Sequence, residues 1–240
     1  NYTVAAGTYS YTVTDANGCS TSANVTVTQP SAVTLSATAT QIACNGGTGS
    51  VALVANGGTG SYTYSGTTTG LTAGTYNYTV TDANGCSASA NATINAAPAV
   101  LTLSATATQI ACNGGTGSVA LSATGGTTPY TYSGTTSGLT AGTYNYTVTD
   151  ANGCSASANA TINAAPAVVQ LTATASQILC NGGTGSVALT ATGGTGTYTY
   201  NSTATTSLVA GTYNYTVTDA NGCSASASAT INAAPSAVTL

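Results

Sequence analysis

One hexapeptide, Thr-Asp-Ala-Asn-Gly-Cys, recurs four times along the 240 residues, at positions 14–19, 81–86, 149–154 and 218–223. The single aspartates of consecutive copies lie 67, 68 and 69 residues apart. A fixed period is typical of proteins built from stacked structural units, in which each unit contacts its neighbours. The period therefore predicts a tandem array of small domains rather than one large domain.

The prolines that close each copy of the pattern mark the repeat boundaries. Residues 31–98, 99–166 and 167–235 each make a complete repeat, and residues 1–30 match the C-terminal half of one. Residues 236–240 begin a further repeat, so we expect the chain to be part of a longer array. The connecting segments, such as Asn-Ala-Ala-Pro-Ala-Val, are very short. Neighbouring domains are therefore predicted to touch.

Polarity alternates with period two within each repeat, which is typical of half-buried strands. In Ser-Val-Ala-Leu-Val-Ala, Val51 and Leu53 share a face, and in Thr-Tyr-Asn-Tyr-Thr-Val the shared face carries Tyr76, Tyr78 and Val80. Gly- and Asn-containing turns separate these segments, and none has a helical pattern. Roughly six or seven short strands per repeat predict an all-β chain, a tandem array of small immunoglobulin-like β-sandwich domains that form an extended rod.

Longer segments of the repeat resemble a known family. The stretch AGTYNYTVTDANGCSASANATI at 73–94, with VTLSATATQIACNGGTGSVALVANGGTGSYTYSG at 33–66, resembles the SprB repeat of Bacteroidetes surface adhesins, which is related to PKD and other immunoglobulin-like modules. The resemblance covers the whole repeat. It implies long filaments at the bacterial cell surface, extracellular and associated with gliding motility and adhesion. Unlike that family, this chain has no Lys, Arg, His, Glu, Phe, Trp or Met.

Charge is almost absent from the chain. The four aspartates are the only charged side chains, whereas a globular chain of this length carries roughly sixty. Because there is no Lys, Arg or His, no cationic group neutralises phosphate, which excludes nucleic acid and anionic lipid headgroups as partners. No apolar run reaches the length of about eighteen residues that a spanning helix needs, so we expect no membrane insertion.

The same absence limits catalysis. Imidazole and amine groups are the usual general bases near neutral pH, and without them the many Ser and Thr hydroxyls have nothing to activate them. We therefore predict that the chain is not an enzyme. No motif in it implies a cofactor.

The carboxylate of the hexapeptide precedes an Asn-Gly pair, which supplies the positive φ angles of a tight hairpin. An aspartate at this position can accept hydrogen bonds from backbone N–H groups of the turn. We predict this turn-capping role for Asp15, Asp82, Asp150 and Asp219. The alternative is calcium, which takes about six to eight oxygen ligands and so would require a site shared between two domains. One carboxylate per repeat favours the turn, and no metal site is predicted.

Seven cysteines occur at two per complete repeat, without a C-x-x-C pair or a histidine, so a zinc site is not indicated. Disulfides in an extracellular, oxidising setting are the natural interpretation. The residues concerned are Cys19, Cys44, Cys86, Cys112, Cys154, Cys180 and Cys223.

Two pairings are open. Pairing within repeats joins Cys44 to Cys86, Cys112 to Cys154 and Cys180 to Cys223, and leaves Cys19 to an upstream partner. An immunoglobulin-like topology places the two cysteines of a repeat at opposite poles, about 30 Å apart, whereas bridged Cα atoms lie within about 7 Å. Pairing between neighbouring repeats then joins Cys44 to Cys154 and Cys112 to Cys223. Such bonds would link neighbouring domains covalently and make the array stiff.

All fifteen aromatic residues are tyrosines, mostly in pairs that share a strand face, such as Tyr62 with Tyr64 and Tyr76 with Tyr78. If the two strands are neighbours, these rings form a cluster, which is either core with hydroxyls at its rim or a platform for sugar rings. The core is favoured because Val80 continues the same face.

Three functions remain open at this point. The first is the structural stalk of a long extracellular cell-surface filament, without catalysis, and near-identical repeats favour it. The second is a repeated carbohydrate-binding module that uses the tyrosine faces. The third is an accessory region of a secreted enzyme. The partners expected are neighbouring repeats of the same chain, with sister filaments and surface glycans as further candidates.

Overall fold

The structure, a computed structural model, describes residues 3–239. These residues form seventeen β-strands and no helix. None of them therefore belongs to a helix long and apolar enough to cross a membrane. The chain divides into two compact units, Asn1–Val100 and Leu101–Leu240.

The first unit contains a hairpin followed by one complete repeat. Its strands are β1 (Gly7–Thr14), β2 (Ser20–Val27), β3 (Thr34–Thr40), β4 (Ser50–Asn56), β5 (Thr63–Ser65), β6 (Gly74–Thr81) and β7 (Ser87–Ile94). β1 and β2 pair as an antiparallel hairpin. In the complete repeat, β3 pairs with β4, and β5, β6 and β7 form a three-stranded antiparallel sheet.

The second unit contains this arrangement twice. The strands of its first repeat are β8 (Thr102–Thr108), β9 (Ser118–Thr124), β10 (Thr131–Ser133), β11 (Gly142–Thr149) and β12 (Ser155–Ile162). Those of its second repeat are β13 (Gln170–Ser176), β14 (Ser186–Thr192), β15 (Thr199–Tyr200), β16 (Gly211–Thr218) and β17 (Ser224–Ile231). Each repeat again has one two-stranded and one three-stranded sheet. The predicted all-β tandem array is confirmed.

Large and small side chains face each other across the long hairpin of each repeat. In β11 and β12, Tyr146 lies opposite Ala158 and Val148 lies opposite Ala156. The turn between the strands contains Gly153 at φ +83°, which an Asn-Gly pair tolerates without strain. The period-two pattern therefore sets the register, because a slip of one residue would expose the whole apolar face.

The two sheets of a repeat approach each other along β8 and β12. Cα atoms of these two strands come within 8 Å of each other. The inward side chains of β8 include Ala105 and Ala107, and Ala160 is buried on β12. Methyl side chains allow this approach, and they also limit the apolar area that each repeat can bury.

Each core is small and built from equivalent residues. In the first repeat of the second unit it consists of Ile110, Val119, Leu139, Tyr146, Ala160 and Ile162. Tyr146 is 1% exposed, and its hydroxyl donates to the Thr135 carbonyl at 2.9 Å, so its polar atom is satisfied. The tyrosine of the hairpin thus supplies the largest buried side chain of the repeat.

The prediction of six or seven strands per repeat was wrong, since each complete repeat has five. Where a further strand was expected, Leu139 instead forms an isolated bridge with Gly117. Gly138, next to Leu139, has φ +68°, a backbone conformation that cannot continue a strand. The repeat is therefore a two-plus-three sandwich, smaller than a seven-stranded immunoglobulin domain.

Candidate functional site

Each hairpin turn is organised by one carboxylate. Asp150 Oδ1 accepts hydrogen bonds from the backbone N–H groups of Asn152 and Cys154, both at 2.9 Å. Its Oδ2 accepts a third from the Thr127 N–H, also at 2.9 Å, in the loop between β9 and β10. Gly126 makes this approach possible, because a Cβ there would lie 2.6 Å from Oδ2. The carboxylate therefore ties the hairpin turn to a second loop.

The aspartates of the other two complete repeats follow the same pattern. Asp82 accepts from Asn84, Cys86 and Thr59 at 3.0, 2.8 and 2.9 Å. Asp219 accepts from Asn221, Cys223 and Thr195 at 3.0, 2.8 and 2.8 Å. Asp15 is exposed and accepts the two turn bonds, from Asn17 at 3.0 Å and Cys19 at 2.8 Å. These contacts are those of turn-capping acceptors.

The hydrogen bonds change the acidity of the buried carboxylates. The Thr59 N–H is the largest influence on Asp82 and lowers its pKa, with burial opposing it. At Asp150 and Asp219 burial alone would raise the pKa, but the hydrogen bonds from the backbone together outweigh it and lower the pKa. All three side chains are only 5–6% exposed. The protein therefore holds these carboxylates ionised by N–H donors, without a cation.

The turn does not assemble a set of metal ligands. Within residues 3–239, no group of three or more His, Cys, Asp or Glu side chains could hold an ion. Both oxygens of Asp150 point at N–H donors rather than towards other oxygen atoms. A calcium ion needs the opposite arrangement, a shell of oxygen ligands.

A disulfide joins consecutive repeats within the second unit. Cys112 lies in the turn after β8, and Cys223 begins the segment that leads into β17. The two are bonded with a Cα–Cα distance of 5.7 Å and a sequence separation of 111 residues. The bond therefore links the repeat 99–166 to the repeat 167–235, which is the pairing between neighbours.

Cysteines do not pair within a repeat. Cys180, the partner of Cys223 in the within-repeat alternative, is a free and exposed thiol, as are Cys19 and Cys86. Cys44 and Cys154 are disulfide-bonded. Because Cys86 is free, Cys44 is not bonded to it. The within-repeat alternative is wrong for the physical reason given by the topology, which places the two cysteines of a repeat at different ends of its strands.

Further contacts surround the disulfide and complete a joint, which we define by Ala111, Cys112, Asn221 and Cys223. The Asn221 side-chain amide donates to the Ala111 carbonyl at 3.1 Å, and the Cys223 sulfur lies 3.4 Å from the same oxygen. A cleft of about 270 Å³ adjoins the bond. It is lined by Cys112, Asn113, Ala167, Val168, Val169, Cys223 and Ser224. The hairpin turn thus contacts the preceding repeat, and it lines one cleft together with the linker residues 167–169.

Two polar residues near the joint escaped the sequence analysis. The Gln109 amide donates to the Thr161 carbonyl at 3.0 Å and accepts from the Asn163 N–H at 2.7 Å, so it pairs with the free edge of β12. The Asn113 amide donates to the Pro166 carbonyl at 3.0 Å. Their recurrence in each complete repeat, as Gln41 with Asn45 and Gln177 with Asn181, was the available signal.

The tyrosines divide between core and surface. Tyr78 is 1% exposed and Tyr76 is half-buried, as the core interpretation predicts, but Tyr64 is 44% exposed. The Tyr62 and Tyr64 rings meet edge to face with centroids 6.4 Å apart, and the Tyr62 hydroxyl donates to the Gly57 carbonyl. The four rings of a repeat therefore do not form one continuous platform.

Comparison with known families agrees with the repeat pattern. The family model of the SprB repeat matches residues 36–65, 104–133 and 172–205. The chain contains SprB repeats. Each match covers most of the two-stranded sheet and the start of the three-stranded one. The matches contain Cys44, Cys112 and Cys180 in turn, and Cys112 is the one that belongs to the joint. The comparison with curated proteins found no match.

SprB repeats suggest a structural, adhesin-like role at the cell surface. The SprB repeat is a structural rather than a catalytic repeat. SprB repeats are typical of surface-exposed proteins, and disulfides indicate a location outside the cytoplasm.

Proposed function

We propose that this chain is a load-bearing part of the stalk of a long extracellular filament that serves attachment or gliding on a bacterial cell surface. The SprB repeats support this assignment. The observation that carries it is the bond between Cys112 and Cys223, because a covalent link between consecutive repeats changes how the chain transmits force. A filament that pulls on a surface needs joints that resist extension.

The disulfide shortens the covalent path through the second unit. A load applied across residues 101–240 passes from Cys112 directly to Cys223 and bypasses the chain between them. The bypassed segment spans a sequence separation of 111 residues, which is about 400 Å of extended chain at roughly 3.6 Å per residue. Even when both repeats unfold, this length stays unavailable. The repeats therefore act as a tether with limited extension.

A single-molecule pulling experiment tests this role. Handles placed at Val100 and Val238, which are 60% and 97% exposed, apply the load across the chain between them, which includes almost all of the second unit. We expect the oxidised protein to reach an extension about 400 Å shorter than the Cys112→Ser variant, at roughly 3.6 Å for each bypassed residue.

The Cys180→Ser variant is the matched control for that experiment. It removes a free thiol that lies inside the bypassed segment and leaves the joint intact. We expect its extension to equal that of the unmodified protein. If the oxidised protein and the Cys112→Ser variant stretch to the same length, the joint bears no load and the stalk function loses its main support.

The low charge suits such a stalk. With net charge −4 over 240 residues, there is little electrostatic repulsion to hold sister filaments or other surfaces apart. Contacts with them would be hydrogen-bonded and apolar, and so only weakly dependent on salt. The chain itself has no catalytic role in this proposal.

Glycan binding is a second candidate. One exposed ring per complete repeat supports it, namely Tyr64, Tyr132 and Tyr200 at 44, 43 and 39% exposed. An exposed ring can stack on an apolar sugar face. It ranks second because each repeat offers one such ring rather than a platform of four.

A further inference from the structure

Asparagine is followed by glycine at eight places in the chain. Four of these pairs lie in the hairpin turns and four in loops after other strands: Asn17, Asn45, Asn56, Asn84, Asn113, Asn152, Asn181 and Asn221. An Asn-Gly peptide is chemically labile, because glycine has no side chain to hinder attack by its own backbone nitrogen on the preceding amide. The repeat therefore carries a reactive peptide in the same turn that forms the joint.

The reaction needs no reagent other than water. The Gly222 backbone nitrogen would attack Cγ of Asn221, a proton would pass to the side-chain nitrogen, and ammonia would leave to give a cyclic imide. Water would then open either carbonyl of the ring, which yields aspartate or isoaspartate. No oxidation occurs, and the chain gains one carboxylate for each ammonia released.

The turn copies differ only in their surroundings. In all of them the glycine N–H donates to the aspartate carbonyl, at 3.1 Å for Gly222, 3.0 Å for Gly85 and 3.1 Å for Gly18. Asn221 is additionally anchored by its bond to the Ala111 carbonyl, and Cys223, two residues later, is held by the disulfide. Asn84 and Asn17 are exposed, as Asn221 is, but they precede free cysteines.

We propose that Asn221 is a site of spontaneous deamidation that the intact joint protects and an opened joint exposes. Imide formation requires the Asn221 side chain to rotate until Cγ meets the Gly222 nitrogen. The bond to Ala111 and the disulfide restrict that rotation. Loss of the disulfide frees the turn, and the modification that follows is irreversible. This inference goes beyond the stalk function and does not depend on it.

Deamidation would keep an opened joint from closing correctly. The new carboxylate cannot donate to the Ala111 carbonyl, and it adds negative charge beside Asp219 in a chain that has no cation. Isoaspartate would also lengthen the backbone by one atom within the turn. That shift separates the Asn221 and Cys223 N–H groups that Asp219 Oδ1 accepts together.

The test follows deamidation of the 240-residue chain by peptide mapping over time. A protease that cleaves after tyrosine separates the turn copies. It cuts after Tyr11, Tyr78 and Tyr215, each of which precedes one copy of the hexapeptide, and the released peptides differ in the sequence that follows the hexapeptide. We expect Asn221 to deamidate several-fold more slowly than Asn84 and Asn17 in the oxidised protein. In the Cys112→Ser variant, Asn221 should reach the rate of Asn84.

Two controls separate joint opening from unfolding. Asn181 lies in the same repeat as Asn221, and its rate should stay unchanged in Cys112→Ser if that repeat remains folded. Cys180→Ser should leave every rate unchanged, because it removes a thiol that is already free. Equal rates at Asn221 and Asn84 in the oxidised protein would overturn the proposal. So would an unchanged rate at Asn221 in Cys112→Ser while Asn181 stays protected.

Discussion

Asp150 is a buried charge in a chain that has no cation to pair with it. Three N–H donors from two loops stabilise its ionised carboxylate. They do so effectively because hydrogen bonds to an ionised acceptor are stronger than those between neutral groups. The equivalent residue in the hairpin of β1 and β2, Asp15, is exposed and accepts the two turn bonds. The contribution of this aspartate to the stability of the fold thus depends on the loops that surround it.

Replacing the carboxylate with an amide should test that role. In Asp150→Asn, one acceptor oxygen becomes an NH₂ group, which would face either the Thr127 N–H or the turn N–H groups. We expect the melting temperature of the protein to fall by several degrees, measured by circular dichroism. Asp15→Asn, the matched control, should change it little. A similar fall in both variants would contradict the importance of the second loop.

At the scale of elements, glycine and alanine allow the two sheets of a repeat to approach. Gly117 begins the bridge to Leu139 beside the end of β8, where there is no room for a side chain. A Cβ at Gly117 would lie 2.8 Å from the Thr108 carbonyl oxygen and 2.9 Å from Ile162 Cγ2. Both neighbours are fixed, one by the backbone and one by the core.

Gly117→Ala should therefore destabilise the second unit by about 1–3 kcal/mol, the range typical of an overpacked core. Urea unfolding measures the change. Gly7→Ala is the matched control in β1, since its Cβ would make an ordinary contact of 3.7 Å with the Tyr9 ring. We expect the control to change the free energy of unfolding by less than about 0.5 kcal/mol. Equal effects would show that the sheets can separate to admit a methyl group.

For the whole molecule, composition makes the pH dependence unusually simple. The side chains include no His, Glu, Lys or Arg, so aspartate is the only side chain that titrates in acid. The pKa values of Asp82, Asp150 and Asp219 are lowered by folding, so the unfolded chain binds protons first as the pH falls. Their contribution is complete above the unfolded pKa of about 3.9 and is lost as the pH falls through the folded pKa.

At high pH the tyrosines act in the opposite direction. Burial raises the pKa of Tyr146 and of Tyr215, so folding favours the protonated phenol. That contribution is complete below the unfolded pKa of about 10 and is lost as the pH rises through the folded value.

We expect the free energy of unfolding to stay constant between about pH 5 and pH 7, a range in which no side chain of this protein titrates. It should fall below about pH 4 and again above about pH 10. Chemical unfolding across this range measures it, with the disulfides kept oxidised throughout. A maximum or a slope between pH 5 and pH 7 would contradict the prediction.

The sequence by itself determined the features that depend on residues close together in the chain. A strand can be recognised from the polarity of residues two positions apart, and in the Asp-Ala-Asn-Gly-Cys turn the acceptor and the donors lie within five residues. The repeats and the presence of β-strands could therefore be predicted from the chain alone. So could the turn contacts of Asp150, and the burial of Tyr78 and Val80 on one face.

Only the tertiary structure decided the contacts between distant parts of the chain. Cys112 and Cys223 are 111 residues apart, and nothing local distinguishes that pairing from the within-repeat alternative. The third bond to Asp150, from Thr127, depends on where another loop lies, and so does the exposure of Tyr64. Periodicity and turn chemistry act over a few residues, whereas the joint between repeats depends on how folded domains meet.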